Sequence, residues 1–177
     1  MICPYCGHKN IAGVDCCDNC TQDLTALDEP VGQSLMETTI MTTPLAKLNP
    51  REPVIVAPQT PVSEAVAELC RQGVGCVLVG REDEVLGIFS ERDVLMRIAH
   101  RYDEVASDPV SEHMTPDPVQ LEIGTPIAYA LNRMHVGDFR HLPVTKEGRL
   151  VGVISLRDVL GFLGDWYPDL IPAASAG

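Results

Sequence analysis

The chain has 177 residues, 45% of them apolar and 21% charged, the composition of a folded globular protein and not of a disordered one. Its formal charge is −12, from 25 acids against 13 bases. That argues against nucleic-acid binding, which draws its strength from Lys and Arg on phosphates, and leaves solubility as the role of the acidity. No apolar run reaches the roughly 18 residues of a membrane span. The opening Met1-Ile2-Cys3-Pro4-Tyr5-Cys6 lacks the basic and apolar stretches of a signal peptide. A cytoplasmic protein with no membrane contact is expected.

Five of the seven cysteines fall in the first 20 residues: Cys3, Cys6, Cys16, Cys17 and Cys20. In a reducing compartment, clustered cysteines point to a metal rather than to disulfides. Cys3-x-x-Cys6 and Cys17-x-x-Cys20 supply the four ligands of a tetrahedral site, with Gly7 behind the first pair and a segment of hairpin length between them. Cys16 is a competitor for the place of Cys17. Zinc is the expected metal, and four thiolates accept iron as well; a disulfide-bonded or redox-active cluster is the alternative. The pattern resembles a short zinc ribbon over residues 3 to 24. Thr21 stands where the second knuckle of that family has glycine. So short a segment buries too little to fold alone, so the metal would supply its stability. With Lys9 set against Asp15, Asp18, Asp23, Asp28 and Glu29, the ribbon reads as a docking or capping element, not a nucleic-acid reader.

Residues 25–49 read as a linker, with Pro30, Gly32 and Pro44 and a short helix near Ser34 to Met41. The chain then repeats itself at a constant offset of 65. Pro53-Val54 matches Pro118-Val119, and Thr60-Pro61 matches Thr125-Pro126. Ala65, Val79 and Glu82 match Ala130, Val144 and Glu147. Gly87, Ser90 and Arg92-Asp93-Val94-Leu95 match Gly152, Ser155 and Arg157-Asp158-Val159-Leu160. Each copy predicts a strand (Val54 to Val56; Val119 to Leu121) and then a helix. That helix would have Thr60 or Thr125 as N-cap and Pro61 or Pro126 at its first position. Apolar residues follow at helical spacing: Val62, Ala65, Val66 and Leu69; Ile127, Ala130, Leu131 and Met134. Two strands come next (Cys76 to Val79 and Val85 to Phe89; Leu142 to Val144 and Leu150 to Ile154). A last helix begins after Ser90 or Ser155. One copy is too small to stand alone, so two must pack together.

The order β-α-β-β-α resembles the CBS domain. So do Gly87-Ile88-Phe89-Ser90-Glu91-Arg92-Asp93, Gly152-Val153-Ile154-Ser155-Leu156-Arg157-Asp158, Arg140-His141-Leu142-Pro143-Val144 and Met114-Thr115-x-x-Pro118. The resemblance implies an α+β fold in which tandem CBS repeats, residues 50–104 and 105–168, form a Bateman module behind the small metal-bound ribbon of residues 1–24. Residues 169–177 would be a tail. It also implies a cleft between the repeats for an adenosine ligand: AMP, ADP, ATP or S-adenosylmethionine. Asp93 or Asp158 would grip the ribose hydroxyls. Ser90 or Ser155, at a helix start, would meet a phosphate, aided by Arg92, Arg157, Arg140 and His141. Val54, Val119 and Leu142 would flank the adenine. Thr60, Thr125 and Pro143 complete the implied set. A homodimer through the CBS helices is also implied.

Ser-x-x-Asp is equally a helix capping box, and capping alone accounts for both pairs. The repeats also differ: Arg140-His141 aligns with the uncharged Gly75-Cys76, so one site should favour phosphate over the other. Cys70 and Cys76 read as packed small residues. His113 and His135 show no partner in the sequence. Trp166 and Tyr167 are expected to follow the last helix and pack its end. No Gly-rich phosphate loop, no nucleophile with an oriented base and no open metal position is present, so an enzyme is not expected. The function implied is a sensor that passes ligand binding to an unidentified protein partner. The alternative is a ligand-free dimeric scaffold with the ribbon as docking element.

Overall fold

A computed structural model describes residues 2–11, 14–24, 34–81 and 84–167. Asp28, Glu29, Pro30, Gly32 and Glu82 lie outside these residues, as does the expected tail. In chain order the elements are α1 (Leu35–Thr42), β1 (Ile55–Val56), α2 (Val62–Gln72), β2 (Cys76–Arg81), β3 (Glu84–Ser90), α3 (Glu91–Asp93), α4 (Tyr102–Val105), β4 (Thr115–Pro116), β5 (Leu121–Glu122), α5 (Ile127–Gly137), β6 (His141–Lys146), β7 (Arg149–Ser155) and α6 (Leu156–Trp166). The order strand, helix, strand, strand, helix occurs twice, as the duplication requires. The sheets run β1-β2-β3-β4 and β5-β6-β7. The parallel pairing of Val56 with Val79 returns 65 residues on as Leu121 with Val144. The chain divides into two compact units, one of Met1–Asn49, Ile123–Arg140 and Ile154–Gly177, the other of Pro50–Glu122 and His141–Val153.

In the second of these units, alternate residues of β2, Phe89 of β3 and one face of α2 bury the core: Val56, Val62, Ala65, Leu69, Val77, Val79, Phe89, Ile98, Val105 and Val110. In the first, α5 buries Ile127, Ala130 and Met134, the residues aligned with Val62, Ala65 and Leu69 of α2. Both helices stop the same way. Gly73 and Asp138 take the left-handed conformation at aligned positions (φ 62° and 51°), which turns the chain into the next strand. Glu147 and Gly148, both at positive φ, make the two-residue turn between β6 and β7. The Glu122 carboxylate accepts from the amides of both, at 3.1 and 3.0 Å, and from Thr145 Oγ1 at 3.0 Å.

Several local expectations are corrected. Thr60 and Thr125 do not cap the helices that follow; Pro61 and Pro126 occupy the cap positions, with no side-chain cap. The first amides find chain carbonyls instead. Val62 donates to Asp108 at 2.9 Å, Ser63 to Ala106 at 2.9 Å, and Ile127 to Thr43 at 2.9 Å. A carbonyl delivered by tertiary packing satisfies a free helix amide as well as a hydroxyl does. The second copy's first strand is Leu121–Glu122, so Val119 precedes it. The helix after Ser90 is broken: α3 gives way to a π-turn over Val94–Ile98, a 3₁₀ turn over Ala99–Arg101 and then α4. The break buries Ile98 and leaves Leu95 and Met96 exposed. Cys70 is exposed on α2, and not packed. Trp166 is the last residue of α6 and 63% exposed, its ring tilted against Phe162 at 5.7 Å, so it does not seal the helix end. Tyr167 bonds Thr39 Oγ1 through its hydroxyl at 2.7 Å.

Candidate functional site

The ribbon sequence folds as two matched knuckles. The Cys3 amide donates to the His8 carbonyl and the Cys17 amide to the Gln22 carbonyl, both at 2.8 Å. Gly7 donates to Cys3 at 2.9 Å and Thr21 to Cys17 at 2.8 Å. Gly7 and Thr21 share the left-handed conformation (φ 72° and 57°), so Thr21 does the glycine's task despite its Cβ. Among the described residues each knuckle closes on itself through a bridge, Ile2 with Lys9 and Cys16 with Asp23.

This folding brings the sulfurs of Cys3, Cys6, Cys17 and Cys20 within 4.8 Å of one another. Cys3 Sγ lies 3.6 Å from Cys20 Sγ, and Cys6 Sγ lies 3.5 Å from Cys17 Sγ. A disulfide needs about 2.05 Å. Four sulfurs about 2.3 Å from one central ion stand about 3.8 Å apart, so the donor set fits a tetrahedral metal and not a bridge. Cys16 is exposed and outside the cluster. Burial pushes the Cys17 thiol up, but the amides of Cys20 and Asn19 and the Asn10 carboxamide outweigh it and hold it down to about 6. The Gln22 amide lowers the Cys20 thiol, yet burial and the thiols of Cys6, Cys17 and Cys3 push it up to about 12. Four thiols in one small space cannot all ionise without a cation among them. Asn10 was not legible as part of this centre. It is buried, donates through Nδ2 to Cys17 Sγ at 3.5 Å, and accepts from the Asp18 amide at 3.0 Å. It thus holds the loop of the second knuckle from behind, as a residue supporting a metal ligand would.

The two Ser-x-x-Asp pairs are full capping boxes with nearly identical backbones (Ser90 φ −125°, ψ 165°; Ser155 φ −125°, ψ 164°). Asp93 Oδ2 accepts from the Ser90 amide at 2.9 Å and hydroxyl at 2.7 Å. Asp158 Oδ2 accepts from those of Ser155 at 2.7 and 2.6 Å. In both, the cap uses the same carboxylate oxygen. Arg97 Nη1 lies 3.2 Å from the other oxygen of Asp93; the aligned position in the second copy is Phe162. Arg97 is the cation that alignment of Gly75-Cys76 with Arg140-His141 overlooked.

The imidazole of His141 lies against Gly75, where a Cβ would overlap the ring. Gly75 in turn accepts from the Glu91 amide at 3.0 Å, and Cys76 pairs with Ser90 across the sheet. His141 is therefore brought to the first copy's Ser90–Asp93 box, inside one unit. Arg140 is exposed, and its carbonyl accepts from Leu156 at 3.0 Å, the counterpart of Gly75 with Glu91. Arg92 and Arg157 are exposed on their helix starts; Thr60, Thr125, Val54 and Val119 are half-buried; Leu142 and Pro143 are buried in β6. His113 has the partner its sequence context hid, with Nε2 3.0 Å from Asp108 Oδ2.

Burial, with Glu91 and Asp93 adding negative charge, pushes the Cys76 thiol up to about 12. A thiol held protonated and covered is inert. Iodoacetamide on the folded protein is expected to label Cys70 and Cys16 and spare Cys76, read by peptide mass spectrometry; labelling of Cys76 at the rate of Cys70 would contradict its burial.

A model of the CBS domain family matches residues 38–100 and 110–165. An uncharacterised 17.7 kDa protein of Acidianus ambivalens is 32% identical over 127 residues, covering 71% of this chain and 76% of that protein. Two further curated relatives are longer chains, of which the match spans 19% and 46%. The crystal structure of the CBS-domain protein ATU1752 from Agrobacterium tumefaciens superposes with a TM-score of 0.61 at 34% identity, over 67% of this chain and 94% of that one. The CBS domain protein PAE2072 from Pyrobaculum aerophilum, solved in complex with AMP, gives 0.59 at 28% identity over 66% and 89%. Among the described residues no helix is long and apolar enough to cross a membrane. With two copies of the fold, two boxes at aligned positions and the family match over both, the chain belongs to the CBS domain family and carries its domains as a pair.

Proposed function

We propose that this chain is a regulatory sensor that binds an adenosine-containing ligand (AMP, ADP, ATP or S-adenosylmethionine) on its CBS pair and passes that event to a protein partner. The observation that carries the reading is the geometry of the two boxes. In each, the serine hydroxyl and the aspartate carboxylate are held together at a helix start, the pairing that a grip on phosphate and ribose requires. The AMP held by PAE2072 supports the ligand class. His141 against Gly75 and Arg97 beside Asp93 put cationic or titratable groups at the first box. The second box keeps Arg157 and the backbone of Arg140. The domains on this reading are the ribbon (1–24), a linker (25–49), two CBS repeats (50–104 and 105–168) and a tail (169–177). Zinc, or iron, would sit among Cys3, Cys6, Cys17 and Cys20 with no position open for a substrate, so its part is structural.

Leu95 and Leu160 favour self-association. They are aligned residues, Leu95 on the π-turn after α3 and Leu160 on α6, 71% and 52% exposed, and such apolar surface suits pairing with a second copy. That homodimer would persist without any ligand and is the scaffold alternative.

A thermal-shift screen against AMP, ADP, ATP with and without magnesium, and S-adenosylmethionine tests the reading. A ligand at 100 times its dissociation constant should stabilise the fold by about 2.7 kcal/mol. Asp93→Ala or Asp158→Ala should abolish the shift at its own site. Gly75→Ala, which displaces the His141 ring, should weaken ligand affinity roughly tenfold, the loss of about one charge-assisted hydrogen bond, while leaving the unliganded melting temperature near its original value. No shift with any of these ligands would leave the scaffold reading.

A further inference from the structure

The two repeats have diverged where one of them meets the ribbon. On α5, Tyr129 and Arg133 stand one turn apart and share a face. Arg133 Nη1 donates to the Tyr5 carbonyl at 2.7 Å, and Tyr5 lies between Cys3 and Cys6. The Tyr129 hydroxyl closes on Gly7, 3.2 Å from where a Cβ would stand. All these residues belong to one compact unit. At the aligned positions of the first repeat, α2 carries Glu64 and Glu68, and Glu68 is paired with Arg71. Four thiolates around one divalent ion leave a net charge of about −2. An arginine beside that centre complements it, and two glutamates would repel it.

We propose that the Tyr129–Arg133 face of α5 is a built docking surface for the chain's own first knuckle, and that metal loading of the four cysteines and coverage of this face are one coupled equilibrium. This rests on the reading of the four cysteines as a metal centre. The Tyr5 carbonyl is presented by the loop that Cys3 and Cys6 pin to the ion. A segment of about 20 residues does not hold such a loop without its metal. The loaded ribbon covers the face; a ribbon that loses its metal to a chelator uncovers it. The device turns the state of the cysteines into exposure of one helix of the second repeat, and the first repeat, with Glu64 and Glu68, lacks it.

Coupling of this kind is reciprocal, so a variant that weakens docking must weaken metal binding. The test measures zinc affinity of the full chain by competition with a chromophoric chelator, for the wild type, Arg133→Gln and Tyr129→Glu, which installs the first repeat's residue. Hydrogen exchange over 127–137 is followed with and without EDTA. Both variants are expected to bind one zinc at saturation with roughly tenfold lower affinity, and EDTA is expected to speed exchange over 127–137 in the wild type. If Tyr129→Glu fails to fold, Arg133→Gln decides alone. A wild type that takes up zinc while Arg133→Gln matches its affinity within about twofold and EDTA leaves the exchange unchanged overturns the coupling only. A wild type that takes up neither zinc nor iron overturns the metal reading itself, and the coupling with it.

Discussion

On the proposed metal reading, Cys17→Ser is expected to abolish metal binding by the N-terminal cysteines and unfold the ribbon, while Cys16→Ser leaves both intact. The two cysteines are neighbours in sequence and opposites in structure. Cys17 is buried, its sulfur 3.5 Å from that of Cys6 and 3.5 Å from Asn10 Nδ2. Cys16 is exposed, and its backbone bridges Asp23. Among the described residues the buried apolar centre of the ribbon is small, Cys3, Cys17 and Leu24, so on the proposed reading a metal would supply most of its folding free energy. Elemental analysis of protein purified without added metal should give about one equivalent for the wild type and Cys16→Ser, and under about half for Cys17→Ser. Hydrogen exchange over residues 2–24 should rise to the unfolded rate in Cys17→Ser alone. Loss of metal from Cys16→Ser would mean that the second knuckle is built from the wrong cysteine.

Phe89→Ala carries the second large effect. Phe89 is fully buried in β3, opposite Val77, and belongs to the core made with Val62, Ala65, Ile98 and Val110. Truncating a buried phenylalanine removes its transfer free energy and leaves a cavity, about 3–5 kcal/mol together. That is a large share of the roughly 5–15 kcal/mol by which domains are stable. Urea unfolding should show a midpoint lowered accordingly at an unchanged slope. Leu35→Ala, at an exposed position, should move it by no more than about 0.5 kcal/mol. A Phe89→Ala loss below about 1 kcal/mol would mean that this side chain does not fill the core.

The duplication is why so much was legible. An offset of 65 held from Pro53 to Leu160 required two copies of one fold, and the periodicity within each placed strands and helices to within a few residues. The paired Cys-x-x-Cys spacing likewise singled out the ribbon cysteines. Errors fell where a residue's role is decided by something distant in sequence. Thr60 and Thr125 have the chemistry of caps, but carbonyls of Asp108, Ala106 and Thr43 reach the helix amides instead. The helix after Ser90 has the same local pattern as α6, yet breaks to bury Ile98. Cys70 adjoins an apolar face and still lies outside it.

By itself, then, the sequence determined the family, the repeat order, the clustering of the N-terminal cysteines and the two Ser–Asp boxes, because each depends on residue types at short or constant spacing. Only the tertiary structure decided between Cys16 and Cys17, brought Asn10 to the cysteine centre, laid His141 against Gly75 and placed Arg133 on the ribbon. Most of these pairings join residues far apart in the chain. Even the nearer one, Asn10 with Cys17, turns on which way a loop directs its side chains, which no local pattern encodes; Arg97 with Asp93, by contrast, is a pair four residues apart whose spacing was legible.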